Sequence, residues 1–347
     1  AHLKLSMAFK DTGFKYFNSK RLGIYLSNSL EGEIAQQDLF SGVGLSESIA
    51  EESIEASKIK SEKPVMVVIG NPPYNVSSIN KSDWIQNLIK IYKENLNEKK
   101  INLDDDYIKF IRFSEHFIEK NKTGIIAMIT NNSFIDGLTH RQMRKHLLET
   151  FDDIYILNLH GSTKKKERAP DGGKDENIFN IEQGVSISIF VRKTPEKTDL
   201  GTVNYAEFFG KREDKFTMLN EQNLQSIKWK RLEYSEPYYF FVPKDFSSIK
   251  EYENGFKVDD LFITGSSGTE SAKDDFIVKF TSKEILDLKN YIETHTTNDI
   301  VEKYKLNISK AEQVKNDFSN IIGNETKLNY RPFDIRYTYY TGKSGGF

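Results

Sequence analysis

The chain has 347 residues, with 49 Lys and Arg against 51 Asp and Glu for a formal charge of −2, so it is no uniformly basic DNA coat and any nucleic-acid contact must come from local patches. Its 37% hydrophobic content supports a sizeable core, and its length suits two domains. The absence of cysteine excludes disulfides, thiolate metal sites and a Cys nucleophile and fits a reducing cytoplasm, while the longest apolar runs, Val65–Ile69 and Gly124–Ile129, fall far short of a membrane span.

The first half alternates short apolar runs with amphipathic segments, the pattern of a layered α/β domain. Leu22–Leu26 reads as a strand and Ile49–Lys60 as a polar surface helix. Pro64–Ile69 reads as a buried strand running straight into Gly70-Asn71-Pro72-Pro73-Tyr74. Trp84–Asn95 and Tyr107–Glu119 read as helices, the second with Tyr107, Phe110, Ile111, Ser114, Phe117 and Ile118 at helical spacing. Gly124–Thr130 is a further buried strand ending in Asn131-Asn132-Ser133. A helix from about Thr139 to Phe151 stripes Met143, Leu147 and Phe151 toward a core. Ile154–Leu159 and Val185–Val191 are two more strands, and the Lys-, Gly- and Asp-rich Gly161–Asn177 between them reads as a long mobile hairpin loop. The four strands 64–69, 124–130, 154–159 and 185–191 are expected in one sheet, the last antiparallel to the others. Beyond Thr194-Pro195 the runs become shorter and more aromatic, which places a domain boundary near 195–205. The first residue is Ala1, and the sequence stops on Gly345-Gly346-Phe347 just after a strand-like Tyr337–Tyr340, so both ends read as cut.

Asn71-Pro72-Pro73-Tyr74 carries the chemistry. Two prolines directly after a strand end the ladder and force extended geometry on the residue before each, holding the loop rigid. Open α/β sheets bind ligands at the carboxyl ends of their strands, where this loop falls. An exocyclic adenine amine is a weak nucleophile because its lone pair is delocalised into the ring. An Asn oxygen and a proline carbonyl accepting its two N–H bonds draw the nitrogen toward tetrahedral geometry and free the lone pair. The following aromatic ring suits stacking on an extruded base. An arbitrary match to these four residues is expected in roughly one sequence in a thousand of this length.

On these residues the chain resembles the amino-methyltransferases of the class I fold, and more narrowly the adenine methyltransferase regions of single-polypeptide Type I-like (ISP) restriction-modification enzymes. The resemblance runs over most of the chain and is carried by Ala1–Leu5, Arg21–Glu31, Gly70–Ser77, Asn131–Phe134, Ile178–Arg192 and Tyr330–Asp334. It implies a Rossmann-like mixed sheet with a C-terminal antiparallel hairpin strand, followed by an α+β target-recognition domain. Residues 1–195 would be a methyltransferase core lacking its N-terminal cofactor motifs, and 196–347 a recognition domain truncated at its C-terminus. The implied activity is methyl transfer from S-adenosylmethionine to adenine N6 of a base flipped out of double-stranded DNA. The implied partners are that DNA and the helicase or translocase and nuclease domains of the same parent polypeptide.

In such families an aromatic residue stacks on the other face of the flipped base. Phe179 in Ile178-Phe179-Asn180 matches it, so that Tyr74 and Phe179 would sandwich the adenine; from the residues alone, Phe179 reads rather as a core residue opening a strand. The Gly-rich turn and following acidic residue that hold the cofactor are not found. Gly42-Val43-Gly44 follows no convincing strand, and Asn28, at the end of the 21–30 segment, is the candidate for a remaining cofactor contact beside Asn71. The fragment by itself is therefore expected to be inactive.

DNA-contact candidates are Lys164, Lys165, Lys166 and Arg168 in the loop before Phe179, and Ser266, Thr269 and Lys273 around the Gly265–Thr269 turn. Arg331 and Arg336, flanking an aromatic segment, complete the set. No two of the six histidines pair with carboxylates at metal-ligand spacing, and no metal is assigned. Two other readings stand beside the main one. The same loop can activate a protein glutamine amide, although such enzymes lack a large following domain. The chain can also act as a DNA-recognition module without activity of its own.

Overall fold

The computed structural model describes residues 2–14, 22–32, 44–74, 78–98, 103–262, 271, 273–319 and 323–340. Two compact units divide between Asp245 and Phe246. The first contains α1 (His2–Asp11), α2 (Gly44–Glu62), β1 (Val67–Gly70), α3 (Asp83–Ile89), α4 (Asp106–Asn121), β2 (Gly124–Asn131), α5 (Ser133–Asp136), α6 (Arg141–Thr150), β3 (Asp153–His160), β4 (Val185–Arg192), β5 (Thr202–Glu207), α7 (Arg212–Glu221) and β6 (Lys230–Leu232). The sheet order is β1-β2-β4-β3-β5-β6. β1 runs parallel to β2, β4 runs antiparallel to both β2 and β3, and β3 runs parallel to β5. The expected four neighbouring strands, with 185–191 reversed, are thus found. The carboxyl ends of β1, β2, β3 and β5 consequently share one edge of the sheet.

The long helix α4 shows why these elements form. The Asp105 side chain caps its first turn by accepting from the Tyr107 N–H, and Lys122 ends it in the left-handed region at φ 67°. Between the caps Tyr107, Ile108, Ile111 and Ile118 are buried at helical spacing. They pack with Ile126, Met128, Phe190, Ile154, Ile156 and Val203, which alternate along β2, β4, β3 and β5 on one sheet face, and with Met143 and Leu147 of α6. Leu157, Leu159, Val185 and Ile178 begin a second, smaller core on the opposite face.

Four expectations need correction. The segment 22–26 is not a strand: it makes no ladder, and the Leu26 N–H is taken by the Glu52 side chain of α2. β1 is not a buried strand. It lies at the sheet edge, and only Val68 joins the core, while Val67 and Ile69 are 55% and 78% exposed. The 161–177 loop is no free hairpin connection. Lys215 of α7, wholly buried, donates to Asp175 and to the carbonyls of Leu159 and Glu176, and Asp175 also accepts from the Gly161 and Gly210 amides. Gly161 is required in that clamp, since its φ is 83° and a Cβ would lie 2.5 Å from Asn177 Cα. Finally, the first compact unit does not stop near residue 195. The aromatic-rich stretch beyond it supplies β5 and β6, and Tyr239 and Phe241 fill the main core.

The second unit is α+β. Helices α8 (Ile249–Glu253), α9 (Val258–Leu261), α10 (Asp274–Ile277), α11 (Ser282–Thr294), α12 (Thr297–Tyr304) and α13 (Ile308–Phe318) precede the hairpin β7 (Asn324–Arg331) and β8 (Asp334–Tyr340). Capping boxes at Thr281/Glu284 and Thr296/Asp299 start α11 and α12. Ile285, Leu288, Ile292, Ile300, Val314 and Phe318 form its core with Tyr339 of β8. No helix among the described residues is long and apolar enough to cross a membrane.

Candidate active site

Asn71 emerges directly from the carboxyl end of β1, one residue past the Gly70–Met128 pairing. Its side chain is exposed at the shared strand edge and makes no hydrogen bond to another described residue, whereas Pro72 is buried beneath it. Rigid backbone with a free amide is what an acceptor for an incoming amine requires. Tyr74 is half buried, its hydroxyl 3.4 Å from the Ile129 carbonyl of β2, and burial pushes the phenol up to about 12. It therefore stays neutral at any physiological pH.

The chain brings Phe179 to the same place. The ring centroids of Tyr74 and Phe179 are 6.2 Å apart at an interplanar angle of 54°. Phe179 is fixed by its own backbone: its N–H donates to the Asn177 side chain, and its carbonyl accepts from Arg212. Asn177 in turn donates to the Gly161 and Gln183 carbonyls. A groove of about 770 Å³ runs past Phe179 and Asn180, with Lys174, Lys211 and Arg212 among its walls.

Of the basic loop residues, Lys165 reaches Asp136 at 3.2 Å and Lys164 reaches Glu182 at 3.5 Å, both as exposed pairs of little energetic weight. Lys166 and Arg168 are exposed on the same turn-rich segment. Asn28 is committed elsewhere: its amide donates to Glu31 and Asn80, its side-chain oxygen accepts from the Leu30 N–H, and its carbonyl accepts from Lys60. It serves as the knot of a turn. Gly42 and Val43 lie outside the described residues, and Gly44 opens α2. In the second unit Ser266 and Thr269 lie outside the described residues, while the Lys273 N–H donates to Ser271 ahead of α10. Arg336 is held by both oxygens of Asp334, and Arg331 stacks over Tyr330.

A polar network along the same strand edge escaped the sequence reading. Asn132, at the end of β2, donates to Asn158 of β3; Asn158 donates to the Tyr205 hydroxyl; Tyr205 and His160 both reach Glu207 at the end of β5. These groups line a cavity of about 280 Å³. Asn132 packs so closely on Gly184 that a Cβ there would lie 2.6 Å from its amide. The available signal was polar residues at three strand ends of one open sheet.

The sequence also gave no hint that α4 and α6 pair His146 with carboxylates. Glu115, Glu119 and His146 offer ligand atoms within 4.8 Å of one another. The Arg112 guanidinium, however, lies 3.0 Å from Glu115 and 2.8 Å from Glu119, and Tyr92 donates to Glu115. Against the cost of full burial, His146 and Arg112 hold the Glu115 carboxyl well below its usual range. This is a charge-compensated strut between two helices, and the guanidinium stands where a cation would be repelled.

Residues 3–164 match the Eco57I restriction-modification methylase family. The Type II methyltransferase M.BanIII of Aneurinibacillus aneurinilyticus is 24% identical over 248 residues, covering 67% of this chain and 40% of that protein. The solved structure of the ATP-dependent Type ISP restriction-modification enzyme LlaBIII bound to DNA aligns with 92% of this chain and 22% of its own, at TM-score 0.62 and 24% identity. A DrdV–DNA complex aligns with 86% of this chain and 32% of its own, at TM-score 0.57 and 22% identity. The chain thus shares an α/β fold with parts of such enzymes and spans less than half the length of the relatives it matches.

Proposed function

We propose, from a match to restriction-modification methylases over residues 3–164, that this chain is the base-accepting and DNA-reading part of an S-adenosylmethionine-dependent adenine-N6 DNA methyltransferase. The observation that carries the reading is the juxtaposition of a free Asn71 amide, at the carboxyl end of a strand, with the Tyr74 and Phe179 rings. Asn71 Oδ1 and the Pro72 carbonyl accept the two N–H bonds of the extruded adenine amine and localise its lone pair for attack. Tyr74 and Phe179 take the two faces of the base. Lys164, Lys165, Lys166 and Arg168 hold phosphates beside the pocket, and residues of the second unit, among them Ser266, Thr269, Lys273, Arg331 and Arg336, read or grip the duplex.

The methyl donor supplies an electrophilic methyl group, but the described residues do not build its site. Asn28 is bonded within a turn, and Val67 and Ile69 of β1 are exposed among the described residues. No catalytic step is therefore assigned to residues around the donor. In the parent protein, translocase and nuclease domains would couple the same recognition to cleavage. Digesting duplex DNA methylated by the full-length protein to nucleosides, followed by mass spectrometry, tests the proposal: N6-methyladenine is expected, and N4-methylcytosine alone would refute the adenine assignment.

A further inference from the structure

The β7–β8 hairpin is anchored at its base and bare at its tip. Tyr339 stacks on Phe318 at 4.4 Å and 13°, its hydroxyl donates to the Gly323 carbonyl, and Tyr337 exchanges two backbone hydrogen bonds with Lys279. Strand pairing continues to Arg331–Asp334, leaving Pro332 and Phe333 as the connection. Phe333 is 108% exposed and sits at φ 67°, a backbone region that favours glycine. A bulky ring at such a position, packed against none of the described residues, is not explained by the stability of the hairpin. Backbone outliers of this kind point to function. Ile335 beside it is 60% exposed.

The chemistry around the tip favours nucleic acid over an acidic or apolar protein face. Arg331 is exposed, stacks over Tyr330 and makes no ion pair among the described residues. The nearby carboxylates are already engaged: Asp334 by Arg336 through both oxygens, and Asp274 by Ser271 and Tyr330. Apolar wedges flanked by arginine are a recurrent means of prising apart base steps and bending a duplex.

We propose that the Pro332–Phe333 tip is a wedge that inserts between stacked base pairs of duplex DNA, with Arg331 on the flanking phosphate or groove. The proposal rests on the DNA-binding reading above and extends it to a residue that makes no phosphate contact. The wedge supplies bending or unstacking, which a base-flipping enzyme needs, from a unit other than the one holding Tyr74 and Phe179.

The test uses the 347-residue chain carrying Phe333→Trp, with the unsubstituted chain as background for Trp84 and Trp229. Duplex binding is followed by anisotropy, and emission of the introduced indole by quenching. Stacking between bases is expected to remove about half or more of the added emission and to shield it from acrylamide, while Phe333→Ala weakens duplex binding about tenfold without altering its salt slope. Salt-dependent duplex binding with unchanged indole emission, and full affinity in Phe333→Ala, would overturn the wedge and leave the DNA reading standing. An indole already shielded before DNA is added would assign the tip to a protein contact and overturn the wedge. Absence of any duplex binding would overturn the DNA reading of this chain and the wedge with it.

Discussion

Tyr74 and Phe179 stand with ring centroids 6.2 Å apart, one on the loop after β1 and the other ahead of β4. A base held between two rings needs about 7 Å, twice a stacking separation. The pair is therefore nearly open to the correct width, and a rotation that reduces the 54° tilt makes the slot. Truncating either ring removes one stacking face, worth about 1–3 kcal/mol. Phe179→Ala in the full-length protein should lower 2-aminopurine fluorescence at the target position and weaken target binding roughly 5- to 100-fold, with Phe179→Trp restoring most of both. Equal loss in Phe179→Ala and Phe179→Trp would point to a packing role instead.

The second prediction concerns the clamp that holds Phe179's loop. Lys215 and Asp175 are 2.7 Å apart with both side chains wholly buried. Removing one member leaves an uncompensated buried charge, so Lys215→Met should cost about 3–5 kcal/mol of unfolding free energy in urea. Adding Asp175→Asn removes the stranded charge and keeps an acceptor for one of the two amides, Gly161 or Gly210, that now bond to separate carboxylate oxygens. The double variant should be more stable than Lys215→Met alone; strict additivity of two losses would contradict the account.

A third prediction follows from the cap of α4. Burial raises the Asp105 carboxyl to about 6 from an ordinary value of 3.8. The folded protein thus binds this proton more tightly than the unfolded chain. The associated stability is complete below pH 3.8 and is lost as pH rises through 6. Asp105→Asn keeps the acceptor for the Tyr107 N–H but carries no charge. It should therefore stabilise the chain by about 1–3 kcal/mol at pH 8, with the advantage vanishing near pH 4. A pH-independent difference between variant and wild type in thermal unfolding would discard this explanation.

The fold was largely legible because its strongest signals are local. Periodicity located β2, β3, β4, α4 and α6, and the hairpin-like spacing of Ile154–Leu159 and Val185–Val191 correctly implied a reversed strand. What failed were properties that depend on neighbours. An apolar run such as 64–69 looks the same whether its strand is central or at an edge, and only the sheet order shows Ile69 bare. Gly161–Asn177 has the composition of a free loop, and nothing local shows that Lys215 will clamp it. Asn71, Tyr74 and Phe179 were singled out by motif and resemblance, and of these Tyr74 and Phe179 do lie side by side. The network of Asn132, Asn158, Tyr205 and Glu207 was missed because its members come together only through the register of four strands.

A fourth prediction concerns the donor. With Asn28 bonded to Glu31, Asn80 and Leu30, and no ribose-binding carboxylate identified among the described residues, the 347-residue chain should bind S-adenosylmethionine weakly. Loss of charge-assisted bonds to the ribose alone weakens affinity by about one to two decades. Calorimetry giving tight micromolar binding would contradict this expectation.

The central claim is that Asn71 activates an amine rather than grips DNA, and one paired measurement on the full-length protein tests it most directly. Single-turnover methylation and duplex affinity are compared for wild type and Asn71→Ala. Because the Asn71 side chain is exposed at the strand edge with no structural partner among the described residues, the substitution should leave the fold intact. Phosphate contacts elsewhere should keep duplex affinity within about threefold. Methyl transfer is expected to fall by about three decades or more, as when a polarising contact made in the transition state is removed. Transfer within tenfold of wild type, or a loss of affinity that matches the loss of turnover, would contradict the account.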